Sequence, residues 1–160
     1  MLKLRLSLCA KPMPYWTDTK LADMTEEQWE SLCDGCGKCC LIRLEDEDTG
    51  DIHTTDVHCK LFDSGSCRCS NYSERKAHVP DCVKLTPETL GELTWLPMTC
   101  AYRLVQEGQP LFDWHPLISG NRESVHQAGM SVQNQTVPEG KVKIRHLVRR
   151  IKIWPGEENA

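Results

Sequence analysis

No long hydrophobic run occurs anywhere in the 160 residues. Nothing approaches the roughly 18 consecutive apolar residues of a membrane-spanning helix. The opening Met1-Leu-Lys-Leu-Arg-Leu-Ser-Leu-Cys9 breaks its leucines with Lys3 and Arg5, so it lacks the apolar stretch of about seven or more residues found in a secretory leader. Leu8 before Cys9 is too large for a lipoprotein cleavage site. A cytoplasmic protein is the expectation. A strong excess of one charge is also missing: 19 basic against 23 acidic residues give a net charge of -4. That removes the global basic field of a general nucleic-acid coat, so nucleic acid is not an expected partner. There is no Ser/His/Asp constellation, no dinucleotide glycine fingerprint and no phosphate-binding loop. Internal repeats and low-complexity tracts are absent. Apolar residues are scarce too, at 39% with cysteine included, so a modest core would profit from a covalent or metal staple.

What the chain has is cysteine: ten in all, nine of them between Cys33 and Cys100. In a reducing compartment, clustered thiols bind metal or do redox chemistry more often than they form disulfides. The central run is Cys33-Asp-Gly-Cys36-Gly-Lys-Cys39-Cys40. Two cysteines separated by two residues can turn both sulfurs to one ion, and the intervening glycines let the backbone aim amide hydrogens at the thiolates. Lys38 offsets part of the thiolate charge. Cys59, Cys67, Cys69, Cys82 and Cys100 follow, each in or beside an expected loop. Cys67 and Cys69 need not share an ion. The same holds for Cys39 and Cys40. Nine candidates fill two four-thiolate sites with one left over, or one site with several structural thiols. Zinc suits such sets, and so does an iron–sulfur centre. The twice-repeated two-residue gap tilts the choice slightly to iron–sulfur.

The flanking pattern indicates an α+β fold: a small, loop-rich single domain with short helices and a β-hairpin, stapled by metal–cysteine sites. Pro12 and Pro14 oppose helix in an extended arm over 1–20. Thr25-Glu-Glu-Gln28 fits a capping box leading into Trp29 and Leu32. Leu41–Leu44 and Ile52–Val57 have strand character, and the acidic run between them marks a hairpin turn. That run is no calcium loop, because Gly50 is at the wrong offset from Asp46 and no glutamate closes it. Residues 58–70 read as loop. Asn71 to Lys76 suits a helical turn, Thr86-Pro87 starts a helix ending near Trp95-Leu-Pro97, and another runs from about Thr99 to Gln106 before Gly108. Residues 120–140 read as loop-rich. Trp95, Tyr102, Phe112 and Trp114 read as core. His58 and His115 (the latter with Asp113 to orient it) are alternative ligands, though packing at loop corners is preferred.

The residues Trp29-Glu-Ser-Leu-Cys-Asp-Gly-Cys-Gly-Lys-Cys-Cys40, Asp46-Glu-Asp-Thr49, Pro80-Asp-Cys82, Trp95-Leu-Pro-Met-Thr-Cys-Ala-Tyr-Arg-Leu104 and Trp114-His-Pro-Leu117 resemble the YcgN-type bacterial cysteine-cluster proteins. Those sit in a wider group with a zinc- or iron-chelating signature, C-x3-C-x2-C-C. The resemblance spans about residues 14–133 and implies metal chelation with no established enzymatic activity. It places the signature on Cys36, Cys39 and Cys40, with Cys33 one residue closer than the pattern asks. A further C-x2-Y-x2-R element falls on Cys69, Tyr72 and Arg75, which sets Cys67 apart.

Taken together, an N-terminal arm (1–20), a cysteine-cluster metal-binding domain (21–133) and a basic C-terminal segment (134–160) are expected. Within the last, Ile144, Leu147, Val148 and Ile151 recur at helical spacing among basic residues, while its β-branched content equally permits a strand. The leading function is metal binding through Cys33, Cys36, Cys39, Cys40, Cys59, Cys67, Cys69, Cys82 and Cys100. The alternatives are a redox or metal-dependent enzyme, and a zinc-stabilised interaction module contacting a protein partner through the basic C-terminus.

Overall fold

A computed structural model describes residues 13–157. The capping box forms as its residues predict. Thr25 Oγ1 accepts from the Gln28 amide at 3.2 Å, and Gln28 Oε1 accepts from the Thr25 amide at 3.0 Å. It starts the helix Glu26–Ser31, which delivers Leu32, fully buried, to the first of two cores. There Leu32 packs with Leu90, Leu96, Ala101, Tyr102, Leu104 and Leu111. The Tyr102 hydroxyl donates to the Trp29 carbonyl at 3.0 Å, and the two rings lie 4.7 Å apart, which locks this helix onto the helix Ala101–Gln106. Gly108, at φ 66°, follows that second helix in the left-handed conformation.

The second core holds Leu41, Phe62, Cys67, Val132 and Trp154. It rests on strands β1 (Leu41–Glu45) and β2 (Ile52–His58), the antiparallel hairpin expected across the acidic turn. A parallel strand, Val137–Pro138, joins β2 on its other side, giving a three-stranded sheet. A small separate hairpin pairs β3 (Phe62–Asp63) with β4 (Arg68–Cys69). The class is α+β, with short helices and small sheets. Among the described residues no helix is long and apolar enough to cross a membrane.

Several local expectations are corrected. Residues Tyr15–Asp18 form a helical turn, because Pro14 precedes it at the cap, where a proline does no harm. Residues 1–12, including Cys9 and Pro12, lie outside the described part. Residues 58–70 hold the β3–β4 hairpin instead of plain loop. The helix expected from Thr86 shrinks to a 3-10 turn at Leu90–Glu92, since Thr86 and Thr89 hydrogen-bond each other's hydroxyls and Gly91 follows at once. Phe112 is exposed, stacked on Trp114 at a 5.2 Å ring separation, and is not core.

The basic C-terminal segment is neither a regular α-helix nor a full strand. It makes a 3-10 stretch, Ile144–Arg150, that leaves Ile144 and Val148 exposed. Arg150 then forks onto Asp56 with two 2.7 Å bonds, Ile151 bridges Thr55, and the Lys152 amide donates to Thr54. Trp154 ends the run completely buried, its indole N–H on the Thr55 carbonyl at 3.1 Å. The segment is therefore tied to β2 and anchored in the core through Trp154, and deleting residues 141–160 would remove a keystone as well as a basic surface. Trp154→Ala is expected to cost about 3–5 kcal/mol, read as a lowered urea midpoint; a shift equivalent to under about 1 kcal/mol would contradict this packing.

Candidate metal centre

The run Cys33–Cys40 connects the two cores, since Leu32 belongs to the first and Leu41 to the second. Gly35 and Gly37 make this possible, with φ of 80° and 79°. Gly37 has a second constraint: a Cβ there would meet the Phe62 ring at 2.6 Å and a Val132 methyl at 2.9 Å. The backbone thus turns tightly against the second core, and the Val132 amide ties it down by donating to the Cys36 carbonyl at 2.9 Å.

Folding brings Cys33, Cys36 and Cys39 to one small crevice with Cys100, which stands at the start of the helix Ala101–Gln106. Leu32, Leu85, Leu96, Pro97 and Tyr102 supply its apolar walls. Its free space, about 40 Å³, is on the scale of one or two water molecules, so it suits an inorganic centre and not an organic substrate. A larger hollow of about 350 Å³ between Trp16–Leu21 and Val105–Gln106 offers one carboxylate, Asp18, and no sulfur or imidazole.

Amide hydrogens are already aimed at three of these sulfurs: Gly35 donates to Cys33, Lys38 to Cys36, and Tyr102 and Arg103 to Cys100. Each such bond favours the thiolate. Opposing effects are stronger in the metal-free chain. Burial pushes the Cys100 thiol up to about 12, helped by Asp34 and Cys39. Burial, Cys39 and Asp34 raise Cys33, and burial, Asp34 and Cys39 raise Cys36. For Cys39 the first cause is a hydrogen bond with the Cys40 side chain, then burial. Cys33 and Cys39 nevertheless keep exposed surface and form the mouth of the crevice. All nine cysteines from Cys33 to Cys100 are free thiols. Among the described residues no three His, Cys, Asp or Glu side chains stand in a finished coordination set; thiols repel or ignore one another until a cation gathers them as thiolates.

Two observations bear on whether a soft cation fits. Asp34 is buried and accepts from the Cys36 amide with Oδ1 at 2.8 Å, while Oδ2 has no hydrogen-bond partner among the described residues. An unpaired buried carboxylate oxygen among thiols is costly unless positive charge comes near. Behind the run stand two cations, Lys38 buried and Arg43 half-buried. Lys38 is wholly buried, with its ammonium on the Pro155 carbonyl. Arg43 donates to the Lys38 and Leu41 carbonyls, lies 4.0 Å over Trp95, and interacts electrostatically with Cys39, Cys40 and Cys36. Glu157 lies within electrostatic range of both cations and is one anionic neighbour; fully buried lysines are rare without one. The donor set, the orphaned oxygen and the cations fit a centre of several thiolates around a soft metal.

Two alternative ligands are engaged elsewhere. The Leu117 amide donates to His115 Nδ1 at 3.1 Å, so Nε2 carries the proton and donates to the Leu32 carbonyl at 3.0 Å. His58 pairs with Thr136 at 2.7 Å and meets Phe62 edge-on. Cys67 packs into the second core at φ 54°, its thiol pushed by burial up to about 11, while Cys69 on β4 is outside that cluster and stays half-buried. The sequence reading missed Asp34 and Arg43. Asp34 was legible as the Asp of Cys-Asp-Gly-Cys, but its burial was not.

Asp34 raises Cys33, Cys36 and Cys100 alike, so neutralising it must lower them. In metal-free Asp34→Asn, thiolate absorbance in the ultraviolet is expected to rise at lower pH than in the parent; coincident titrations would contradict the shared electrostatics.

The chain was compared with known proteins. A family model described as "CxxCxxCC: Putative zinc- or iron-chelating domain" matches residues 32–101. Its pattern is met by Cys33, Cys36, Cys39 and Cys40 with no offset at Cys33. A UPF0260 protein of Sinorhizobium fredii is 52% identical over 145 residues, covering 91% of this chain and 94% of the relative. One from Rhizobium etli strain CIAT 652 is 52% identical over 149 residues with the same coverage. A third, from Caulobacter sp. strain K31, is 60% identical over 126 residues, or 79% of this chain and 78% of the relative. No solved structure matches the chain. With identity above half sustained along most of both sequences, this chain belongs to the UPF0260 family.

Proposed function

We propose that this protein is a metal chelator whose first centre is held by Cys33, Cys36, Cys39 and Cys100, with an iron–sulfur centre preferred over a single zinc ion. The observation that carries the reading is the set of backbone amides pointing at Cys33, Cys36 and Cys100. Amide-to-sulfur bonds spread thiolate charge and tune a bound centre's potential. Lys38 and Arg43 supply the compensating charge from behind, and Asp34 fixes the turn through the Cys36 amide. A bound centre would supply electron transfer if iron–sulfur, or a rigid structural clamp if zinc. The protein's own residues order the thiols, restrict water with the Leu32, Leu96 and Tyr102 walls, and give up thiol protons as the metal enters. A reducing compartment, the cytoplasm, suits nine free thiols. No catalytic constellation accompanies them among the described residues, so a structural, carrier or sensing role fits better than catalysis.

Protein purified without oxygen is expected to be brown and to contain iron and acid-labile sulfide. Colourless protein carrying zinc alone would reject the iron–sulfur preference and keep chelation. Protein that takes up neither metal when reduced and offered each would overturn the reading.

A further inference from the structure

Three cysteines outside the first set, Cys40, Cys59 and Cys69, are drawn toward one another by the two hairpins, and Cys82 comes within range from a later turn. The β1–β2 pairing begins at Leu41 opposite His58, and one step beyond it the Cys59 amide donates to the Cys40 carbonyl at 3.0 Å. Cys40 and Cys59 thus lie side by side at the end of the sheet, both half-buried against the second core. The chain then turns, with the Phe62 amide on the Cys59 carbonyl at 2.9 Å, and enters the β3–β4 hairpin. That hairpin sets Cys69 opposite Phe62, and the Ser70 amide donates to the Leu61 carbonyl at 2.7 Å. Cys69 therefore returns to within a few residues of the Cys59 turn. Cys82 closes a turn from Val79 and lies, like Cys69, within electrostatic range of Cys59.

The local chemistry repeats that of the first set. The Leu61 amide donates to Cys59 Sγ at 3.5 Å, the same i+2 amide-to-sulfur bond made at Cys33, Cys36 and Cys100. Cys67 does not join: it precedes β4 in the left-handed conformation at φ 54° and is buried in the second core, while Cys69 stays half-buried. Of the vicinal pair, Cys39 lines the first crevice, and Cys40, whose side chain meets that of Cys39, is held by backbone to Cys59.

Resting on the chelation reading above, we propose that Cys40, Cys59, Cys69 and Cys82 form a second thiolate centre for zinc or iron, adjoining the first across the Cys39–Cys40 peptide. Arg43, electrostatically coupled to both Cys39 and Cys40, is the cation the two centres share. Eight of the nine cysteines are then ligands, and Cys67 is structural.

The test is titration of the reduced full chain with zinc, read by bound metal and by alkylation of each cysteine followed by mass spectrometry. About two zinc ions per chain are expected, with Cys40, Cys59, Cys69 and Cys82 alkylated about tenfold or more slowly once zinc is bound. The double variant Cys59→Ser/Cys82→Ser is expected to retain about one ion and to keep Cys33, Cys36, Cys39 and Cys100 protected. The footprint on the parent chain decides the matter even if that variant fails to fold. One ion per parent chain, with protection confined to Cys33, Cys36, Cys39 and Cys100, would overturn the second centre and leave the first standing. No bound zinc and no protected cysteine would overturn both.

Discussion

Negative charge collected on sulfur must be balanced nearby, and the rest of the structure follows from how this chain does so. Lys38 lies inside the motif and is wholly buried, while Arg43 reaches back from β1 to hold the Lys38 carbonyl at 2.8 Å. Burying either cation without anions would cost several kcal/mol. Beside several thiolates the same burial strengthens every charge interaction, because little water screens it. Asp34 works against the thiolates and for a cation. The balance closes when positive charge sits on the sulfur side of the motif as well as behind it.

Short elements suffice for such a frame. Among the described residues no helix exceeds two turns, apart from the loose 3-10 stretch near the C-terminus. The precision comes from bonds between remote segments: Cys36 to Val132, Lys38 to Pro155, Leu32 to His115, Thr55 to Trp154. Each ties the cysteine run, or the strand behind it, to residues far along the sequence. The fixing of His115 in one tautomer is part of this. A histidine that looks available as a ligand instead satisfies the carbonyl at the end of the helix leading into Cys33.

Much of the plan was readable from local signals. The capping box at Thr25, the hairpin around the acidic turn and the helix ending before Gly108 are set by residues within a few positions of one another, and each formed where expected. The helix from Thr86 did not, because two threonines bonding locally outweighed the proline start. The third strand at Val137–Pro138 and the burial of Trp154 carry no periodic signature; they exist because β2 offers an open edge and an apolar pocket that only the folded chain creates. At the site, clustering of cysteines was plain in the sequence. The grouping of Cys100 with Cys33, and the buried Asp34 and half-buried Arg43 around them, depended on long-range contacts that spacing does not encode.

The central claim is that sulfur, supplied by scattered cysteines, makes up the coordination shell. X-ray absorption at the edge of the metal bound to the full-length protein tests it most directly. A shell of sulfur at about 2.3 Å is the predicted result. A shell dominated by nitrogen or oxygen at about 2.0–2.1 Å would contradict it.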